Sequence, residues 1–114
     1  MTSPTETLLV LTNLPDADSA HQLARRLVEQ RLAACVNVLP PCTSVYRWND
    51  AVETAREVPL IIKTTLARYP DLQAALTEAH PYELPEIIAV PLREGLPAYL
   101  AWVDTETTDV HPES

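Results

Sequence analysis

The sequence predicts an α+β domain built around one antiparallel sheet, and three observations support this fold class. Segments with strand and helix periodicity follow one another in the order β, α, β, β, α, β, before a small final helix. The 114 residues match one domain of about 100 to 150 residues. The 46% hydrophobic and 21% charged residues are typical of a globular protein. The order is that of the split βαβ, or ferredoxin-like, arrangement: a four-stranded antiparallel sheet with helices on one face, plus a short C-terminal helix.

The first strand and helix are predicted from the N-terminal quarter of the chain. The continuous apolar run over 8–11 indicates a buried strand, and turn-forming residues over 13–16 are expected to end it. Asp16 is then placed to cap a helix, because its carboxylate can accept from free backbone N–H groups of the first turn. Apolar residues at helical spacing predict that helix. They are Ala20, Leu23, Ala24, Leu27, Val28 and Leu32.

The middle of the sequence predicts a long β-hairpin. Its first arm begins over 35–39, bends at Pro40-Pro41 because proline cannot donate to a strand ladder, and continues over 43–48. Asn49-Asp50 tolerates positive φ and suits a tight turn. The return strand over about 52–65 carries apolar residues on both faces near its end, which indicates burial on both sides.

This hairpin also predicts an oligomer. Its arms exceed the usual strand of about 5 to 6 residues, and two helices of the predicted length cannot cover them. We therefore expect the tip to protrude or to embrace another subunit, with Trp48 buried against that neighbour. An open sheet also leaves edge strands, which natural proteins pair or protect.

The remaining elements complete the fold. A second helix is expected to begin at Pro70-Asp71 and to end at His80-Pro81. The fourth strand follows over 87–90, and a last helix starts at Pro97. We expect residues 1–114 to form a single domain with its core over about 8–103 and a flexible tail over 104–114.

Composition and charge exclude several classes of function. Gly95 is the only glycine, so a dinucleotide fingerprint or P-loop, each needing at least two glycines, cannot be present. The net charge of −8 repels nucleic acid and anionic membranes, so we expect neither as a partner. The run over 8–11 is too short for a signal or membrane segment, and Cys35 and Cys42 lack CxxC spacing and a secretory context. We expect a cytoplasmic protein with reduced thiols.

His80 is the best single candidate for chemistry. Its imidazole ends a helix and is followed by Pro81 and Pro85, with Glu83 and Glu86 nearby as ligands or orienting groups. The structural alternative is a histidine that interacts with the helix dipole and the last carbonyls. Cys35 is a further candidate metal ligand, and its alternative is a small buried apolar side chain.

Lys63, the only lysine, shares a strand face with Glu57. It is expected either to pair with that carboxylate or to meet an anionic ligand. Since the end of its strand and the loop after the second helix meet at one end of a ferredoxin-like sheet, we expect Lys63, Tyr82 and Glu57 to line one inter-subunit cleft close to His80.

Five short motifs also stand in a characteristic order. They are Ala33–Asn37, Ser44–Trp48, Lys63–Thr65, His80–Glu86 and Tyr99–Trp102. Their order resembles that of the CutA family, the divalent-cation-tolerance proteins, over about residues 8–103. The resemblance implies a single CutA-like domain in a cytoplasmic homotrimer, associated with tolerance to copper and other divalent metals and similar in architecture to the PII signalling trimers.

The sequence departs from that family pattern where metal ligands have been proposed for bacterial members. Thr12 stands in place of a cysteine and Ala79 in place of the first of two histidines, while His80 keeps the second, so one ligand of the three is present. Binding of copper by that route is therefore not implied for this chain.

Two classes of function follow. In the first, a non-catalytic trimer binds divalent metal weakly through His80, Glu86 and Cys35, with Cu²⁺ or Zn²⁺ as the ion and no obligatory cofactor. In the second, a PII-like sensor holds a small anionic ligand through Lys63, Tyr82 and Glu57 and signals to a protein partner. An enzyme is not supported, because the sequence has no nucleophile elbow and ties no histidine to a nucleophile.

Overall fold

The computed structural model describes residues 3–108, which form five strands and three helices. The strands are β1 (Thr7–Leu14), β2 (Cys35–Val38), β3 (Cys42–Trp48), β4 (Ala51–Thr65) and β5 (Ile88–Pro91), and the helices are α1 (Ala17–Glu29), α2 (Tyr69–Ala79) and α3 (Pro97–Thr107). No helix in this part of the chain is long and apolar enough to cross a membrane.

All strand pairs are antiparallel, and β4 pairs with three of the other strands, β1, β2 and β3. The order is β2-β4-β1-β5, while β3 pairs with the other end of β4. β2 lies opposite residues 60–63 and β3 opposite residues 51–57, so the two strands form one broken arm. The break contains Pro40-Pro41, as predicted. With that arm counted once, the four-stranded ferredoxin-like order is confirmed.

The hairpin turn has the predicted geometry. Trp48 pairs with Ala51, which leaves a two-residue loop. Its residues have φ of 50° at Asn49 and 64° at Asp50. Two positive φ values identify a type I′ turn, whose twist matches that of the flanking strands. Since β1 ends opposite Val58, residues 51–57 of β4 and all of β3 project beyond the body of the sheet.

The main core lies between one face of the sheet and the helices α1 and α2. Alternate residues of β1 and β4 point into it, among them Val10, Leu60 and Ile62, which are fully buried. α1 contributes Leu23 and Leu27 at helical spacing. α2 adds Leu72 and Leu76 to the same cluster. The apolar stripes seen in the sequence therefore face one another, as amphipathic elements require.

Two predicted boundaries differ in the structure. β1 continues through Asn13 and Leu14, where a turn was expected, because Leu14 pairs with Val58 and enters the core. α3 continues to Thr107, which is 1% exposed, so residues 104–107, expected in the tail, belong to the last helix. Residues 109–114 lie outside the described residues.

α1 and α2 share one sheet face, as predicted, and the C-terminal helix α3 lies on the opposite face. The phenol of Tyr99 reaches Cys35, and Cys35 pairs with Lys63 across the face that points away from the main core. Thr65 is buried on this face, whereas Ile61 and Lys63 are only half-buried. Two-sided burial of β4 is thus incomplete within one chain.

We expect Leu60→Ala to lower the free energy of unfolding by about 2 to 5 kcal/mol, because Leu60 is 0% exposed and its removal leaves a cavity. Urea unfolding at one fixed protein concentration measures this. Leu84→Ala is the matched control: Leu84 is 71% exposed, and its loss should change stability by no more than about 0.5 kcal/mol. Equal midpoints for both variants would contradict the assigned core.

We expect Asp16→Ala to lower the free energy of unfolding by about 0.5 to 2 kcal/mol. The Asp16 carboxylate accepts from the backbone N–H of Ser19 at 2.8 Å and so caps α1. Asp18→Ala is the control, since it also removes an acidic residue from the first turn but not the cap. Thermal unfolding of the two variants side by side tests this, and a larger loss for Asp18→Ala would reject the assignment of the cap.

Candidate functional site

One face of the projecting hairpin forms the wall of a cleft of about 840 Å³. Cross-strand pairing sets Tyr46 opposite Glu53 and Ser44 opposite Ala55. Since directly opposed residues share a face, these side chains line the cleft together with Trp48 and Glu57. The loop over 81–86 forms the opposite wall. The cleft therefore forms because β4 extends beyond the end of β1 and this loop lies beside the projecting hairpin.

The course of this loop begins at the end of α2. His80 has an extended backbone, with φ −76° and ψ 132°, because a residue before proline is driven away from helical geometry. Pro81 and Pro85 restrict the following turns. Tyr82 and Glu86 of the loop face the hairpin as a result.

His80 is a buried structural residue in this arrangement. Its Nε2 lies 3.2 Å from Thr12 Oγ1, and its Nδ1 accepts from the backbone N–H of Tyr82 at 3.4 Å. A nitrogen that accepts carries no proton, so Nε2–H donates to Thr12. Burial lowers the pKa of His80, although a hydrogen bond to the Asn13 backbone and the charge of Glu57 oppose that shift. The neutral ring thus joins the loop to β1.

Tyr82 and Glu57 meet within the cleft. The Tyr82 ring lies 4.8 Å from that of His80, and its phenol faces Glu57. Burial and then the hydrogen bond to the Glu57 carboxylate raise the pKa of Tyr82, so the phenol stays protonated and donates. Glu57 and Tyr82 therefore line one cleft of the single chain near His80, and the inter-subunit cleft stays a prediction.

Glu57 is unusual because it is an acidic side chain of the cleft that is only 9% exposed. The ion pairs among the described residues are Arg25–Glu29, Arg31–Glu106 and Arg68–Asp71, and none involves Glu57. Its negative charge has a phenol beside it but no cation. Burial of a charge without such a partner costs free energy, so a positive charge in the cleft would stabilise the Glu57 carboxylate.

Three further carboxylates line the cleft at its more exposed positions. Glu53 is on the hairpin, and Glu83 and Glu86 are on the loop. Glu86 is held in place by Asn13, whose side-chain amide donates to Glu86 Oε1 at 3.2 Å. The four carboxylates make the cleft strongly acidic.

Lys63 does not line this cleft of the single chain, and its place in an inter-subunit cleft stays a prediction. Its Nζ donates to Asn37 Oδ1 and lies 4.0 Å from Cys35 Sγ. Six residues separate Lys63 from Glu57 along β4, or about 20 Å at about 3.3 Å per residue. The expected pairing of Lys63 with Glu57 is therefore also wrong, because one lies in the body of the sheet and the other in the projecting arm.

The predicted metal ligands are not brought together either. Cys35 pairs with Lys63 in the sheet, whereas His80 contacts Thr12 and Glu86 lies in the loop. Over residues 3–108, no three side chains of His, Cys, Asp or Glu are grouped so that they could hold a metal ion. Any ion bound in the cleft must keep much of its water shell.

The sequence does not reveal Asn13, Glu53 or the place of Tyr46 in the cleft as readily. The turn predicted over 13–16 gives no sign that the Asn13 side chain donates to Glu86. The other two could have been found, because a two-residue turn at Asn49-Asp50 fixes the register and sets Tyr46 opposite Glu53.

The comparisons with known proteins agree over most of the chain. Residues 8–106 match the family described as CutA1 divalent ion tolerance protein. A divalent-cation tolerance protein CutA of Thermus thermophilus is 43% identical over 99 residues, which are 87% of this chain and 96% of the relative. Protein CutA of the mouse is 44% identical over 96 residues, which are 84% of this chain but only 54% of the mouse protein.

The fold comparison gives the same result. The crystal structure of CutA from Xylella fastidiosa superposes with a TM-score of 0.87 at 44% sequence identity, covering 90% of this chain and 99% of that one. Likeness in sequence and in fold thus extends across both walls of the cleft. The chain belongs to the CutA1 divalent ion tolerance family.

Proposed function

We propose that this protein acts in tolerance to divalent metal ions, copper among them, as a non-catalytic cytoplasmic homotrimer that binds such ions weakly. The observation that carries the proposal is the buried, cation-free carboxylate of Glu57 in a cleft with three other glutamates. The name of the family, and that of the Thermus relative, links the fold to divalent cations.

The ligands of the cleft argue for weak and unselective binding. Carboxylate oxygens suit many divalent cations, whereas strong binding of Cu²⁺ or Zn²⁺ favours nitrogen or sulfur ligands in a closed set. Glu86 is the most accessible of the proposed ligands. His80 would have to break the contacts of both ring nitrogens before it could bind an ion. Cys35 is not among the proposed ligands, because it pairs with Lys63 in the body of the sheet and does not line the cleft.

The trimer is supported by apolar surface on the parts that one chain leaves uncovered. Val45 and Val52 of the hairpin are 68% and 66% exposed. Ile88 and Val90 are exposed on the edge strand β5. Such residues at an arm and an edge suit burial between subunits. Trp48 is already half-buried within its own chain, and its contact with a neighbour remains a prediction.

The cytoplasmic location rests on the thiols. Cys35 and Cys42 are both free, and Cys42 is exposed, which suits a reducing compartment.

The geometry does not favour the PII-like alternative in this cleft. A sensor of a small anion needs a positive group among the carboxylates. Lys63 lies about 20 Å along the strand from Glu57, and Arg47, the basic residue that lines the cleft, alternates with Tyr46 and Trp48 along β3 and is exposed. We therefore keep the metal proposal as the single candidate.

We expect calorimetric titration of Zn²⁺ or Cu²⁺ to show binding that Glu86→Gln weakens about fivefold or more, since one charge at about 4 Å contributes about 1 kcal/mol even in water. Glu78→Gln removes an equal charge from an exposed site on α2 and should have no effect. Cys35→Ser should also leave affinity unchanged, and a chelator should not lower the melting temperature. Loss of binding in Cys35→Ser would contradict the proposed site.

We expect light scattering behind size exclusion to give the mass of three chains of 12.7 kDa each. Val52→Asp should shift the protein toward smaller species, because it places a charge on the proposed contact surface of the hairpin. Val28→Asp on α1, at a residue that is also exposed, is the matched control and should leave the mass unchanged. A single-chain mass for the unaltered protein at micromolar concentration would reject the trimer.

A further inference from the structure

The cleft contains an aromatic surface that binding of a metal ion leaves unexplained. Tyr46 and Trp48 stand on the hairpin face, and Tyr82 stands on the loop opposite. Tyr46 is exposed although its ring lies at the mouth of a concave site. A hydrated metal ion gains little from such walls, whereas methylene groups and organic cations are attracted to aromatic faces.

The carboxylates of the cleft are spread along it and do not converge. Glu53 and Glu57 lie on one face of β4 but four residues apart, or about 13 Å at about 3.3 Å per residue. No three acidic or other metal-binding side chains come together within residues 3–108. One small ion can therefore contact only part of the negative charge. A ligand with several positive charges joined by apolar spacers can reach more of it.

The hydrogen-bonding groups favour ammonium over quaternary nitrogen. Glu57, Glu53 and the side-chain oxygens of Asn13 and Ser44 can all accept hydrogen bonds in the cleft. A primary or secondary ammonium donates to such groups, whereas a quaternary nitrogen has no N–H to donate. The buried carboxylate of Glu57 has no cationic partner among the described residues, so one ammonium can pair with it.

Arg47 is the one basic residue that lines the cleft, and it does not fill this role. It alternates with Tyr46 and Trp48 along β3, so it belongs to the opposite face of the hairpin. It makes no ion pair with a described residue and stays exposed at the rim. The positive charge that the cleft needs must come from outside this chain.

From these observations we propose that the cleft binds an aliphatic polyammonium ion. One ammonium pairs with Glu57 and another with Glu53, while the methylene chain between them packs against Tyr46, Trp48 and Tyr82. The inference stands apart from the metal proposal, because it uses the separation of the charges and the aromatic walls, which a metal ion does not need.

The test is a titration of the full chain with spermine in metal-free buffer of low ionic strength, with pentaethylene glycol as an uncharged chain of comparable length. A Trp102→Phe background leaves Trp48 as the only tryptophan, so its fluorescence reports binding at the cleft. We expect saturable binding of spermine with a change in Trp48 emission, and no effect of the glycol.

Glu57→Gln should weaken spermine binding about fivefold or more, since it keeps the shape of the side chain and removes one charge contact worth about 1 kcal/mol. Glu53→Gln, at an exposed position that the fold does not need, should weaken it as well and guards against misfolding of the buried variant. Glu78→Gln lowers the net charge equally outside the cleft and should not change affinity. Tyr46→Phe should bind like the unaltered chain, and Tyr46→Ala more weakly.

Equal weakening by Glu78→Gln and Glu53→Gln would show attraction to the acidic surface in general and would overturn the proposal. So would binding without any change at Trp48, or retention of full affinity by both Glu57→Gln and Glu53→Gln. None of these results bears on the Zn²⁺ titration of Glu86→Gln, so failure of this inference and failure of the metal proposal are distinguishable.

Discussion

The antiparallel pairing of β4 fixes the positions of both the core and the cleft. This 15-residue strand pairs with β1, β2 and β3 along different parts of its length. Its C-terminal part carries Leu60 and Ile62 into the core, and its N-terminal part carries Glu53 and Glu57 into the cleft. Because side chains alternate strictly along a strand, a slip of one residue would move both sets to the wrong face. The type I′ turn at Asn49-Asp50 sets the register of the projecting arm.

The second wall of the cleft depends on His80 in a comparable way. Its neutral ring bridges Thr12 of β1 and the backbone of Tyr82, so it ties the loop to the sheet where β1 ends. A metal ligand in the same position would need at least one of these nitrogens. The feature that made His80 a candidate in the sequence, an imidazole at a helix end before two prolines, here serves to position Tyr82 against Glu57.

Local sequence signals predicted the fold well and the site only in part. The apolar stripe of α1, the capping residue Asp16 and the turn at Asn49-Asp50 each act within a few residues, so the sequence alone revealed them. Leu14 was misassigned because its pairing with Val58 overrides the local preference for a turn. The expected contact of Lys63 with the loop fails within one chain because α2 carries the chain back along the sheet. The loop after α2 therefore lies beside Thr12 and Asn13, at the opposite end of the sheet from Lys63.

The absence of Lys63 from the cleft determines the sign of the charge that the cleft of one chain can accept. With Lys63 beside Glu57, the cleft would hold a mixed set of charges and could receive an anion together with a metal. In the structure, Lys63 donates a hydrogen bond to Asn37 in the body of the sheet. Glu57 is buried beside the phenol of Tyr82. A neutral phenol stabilises a carboxylate less than a cation does, since hydrogen bonds between charged partners are the stronger ones. The cleft therefore attracts cations through its own residues, and its aromatic walls decide which cations gain more than the charge alone provides.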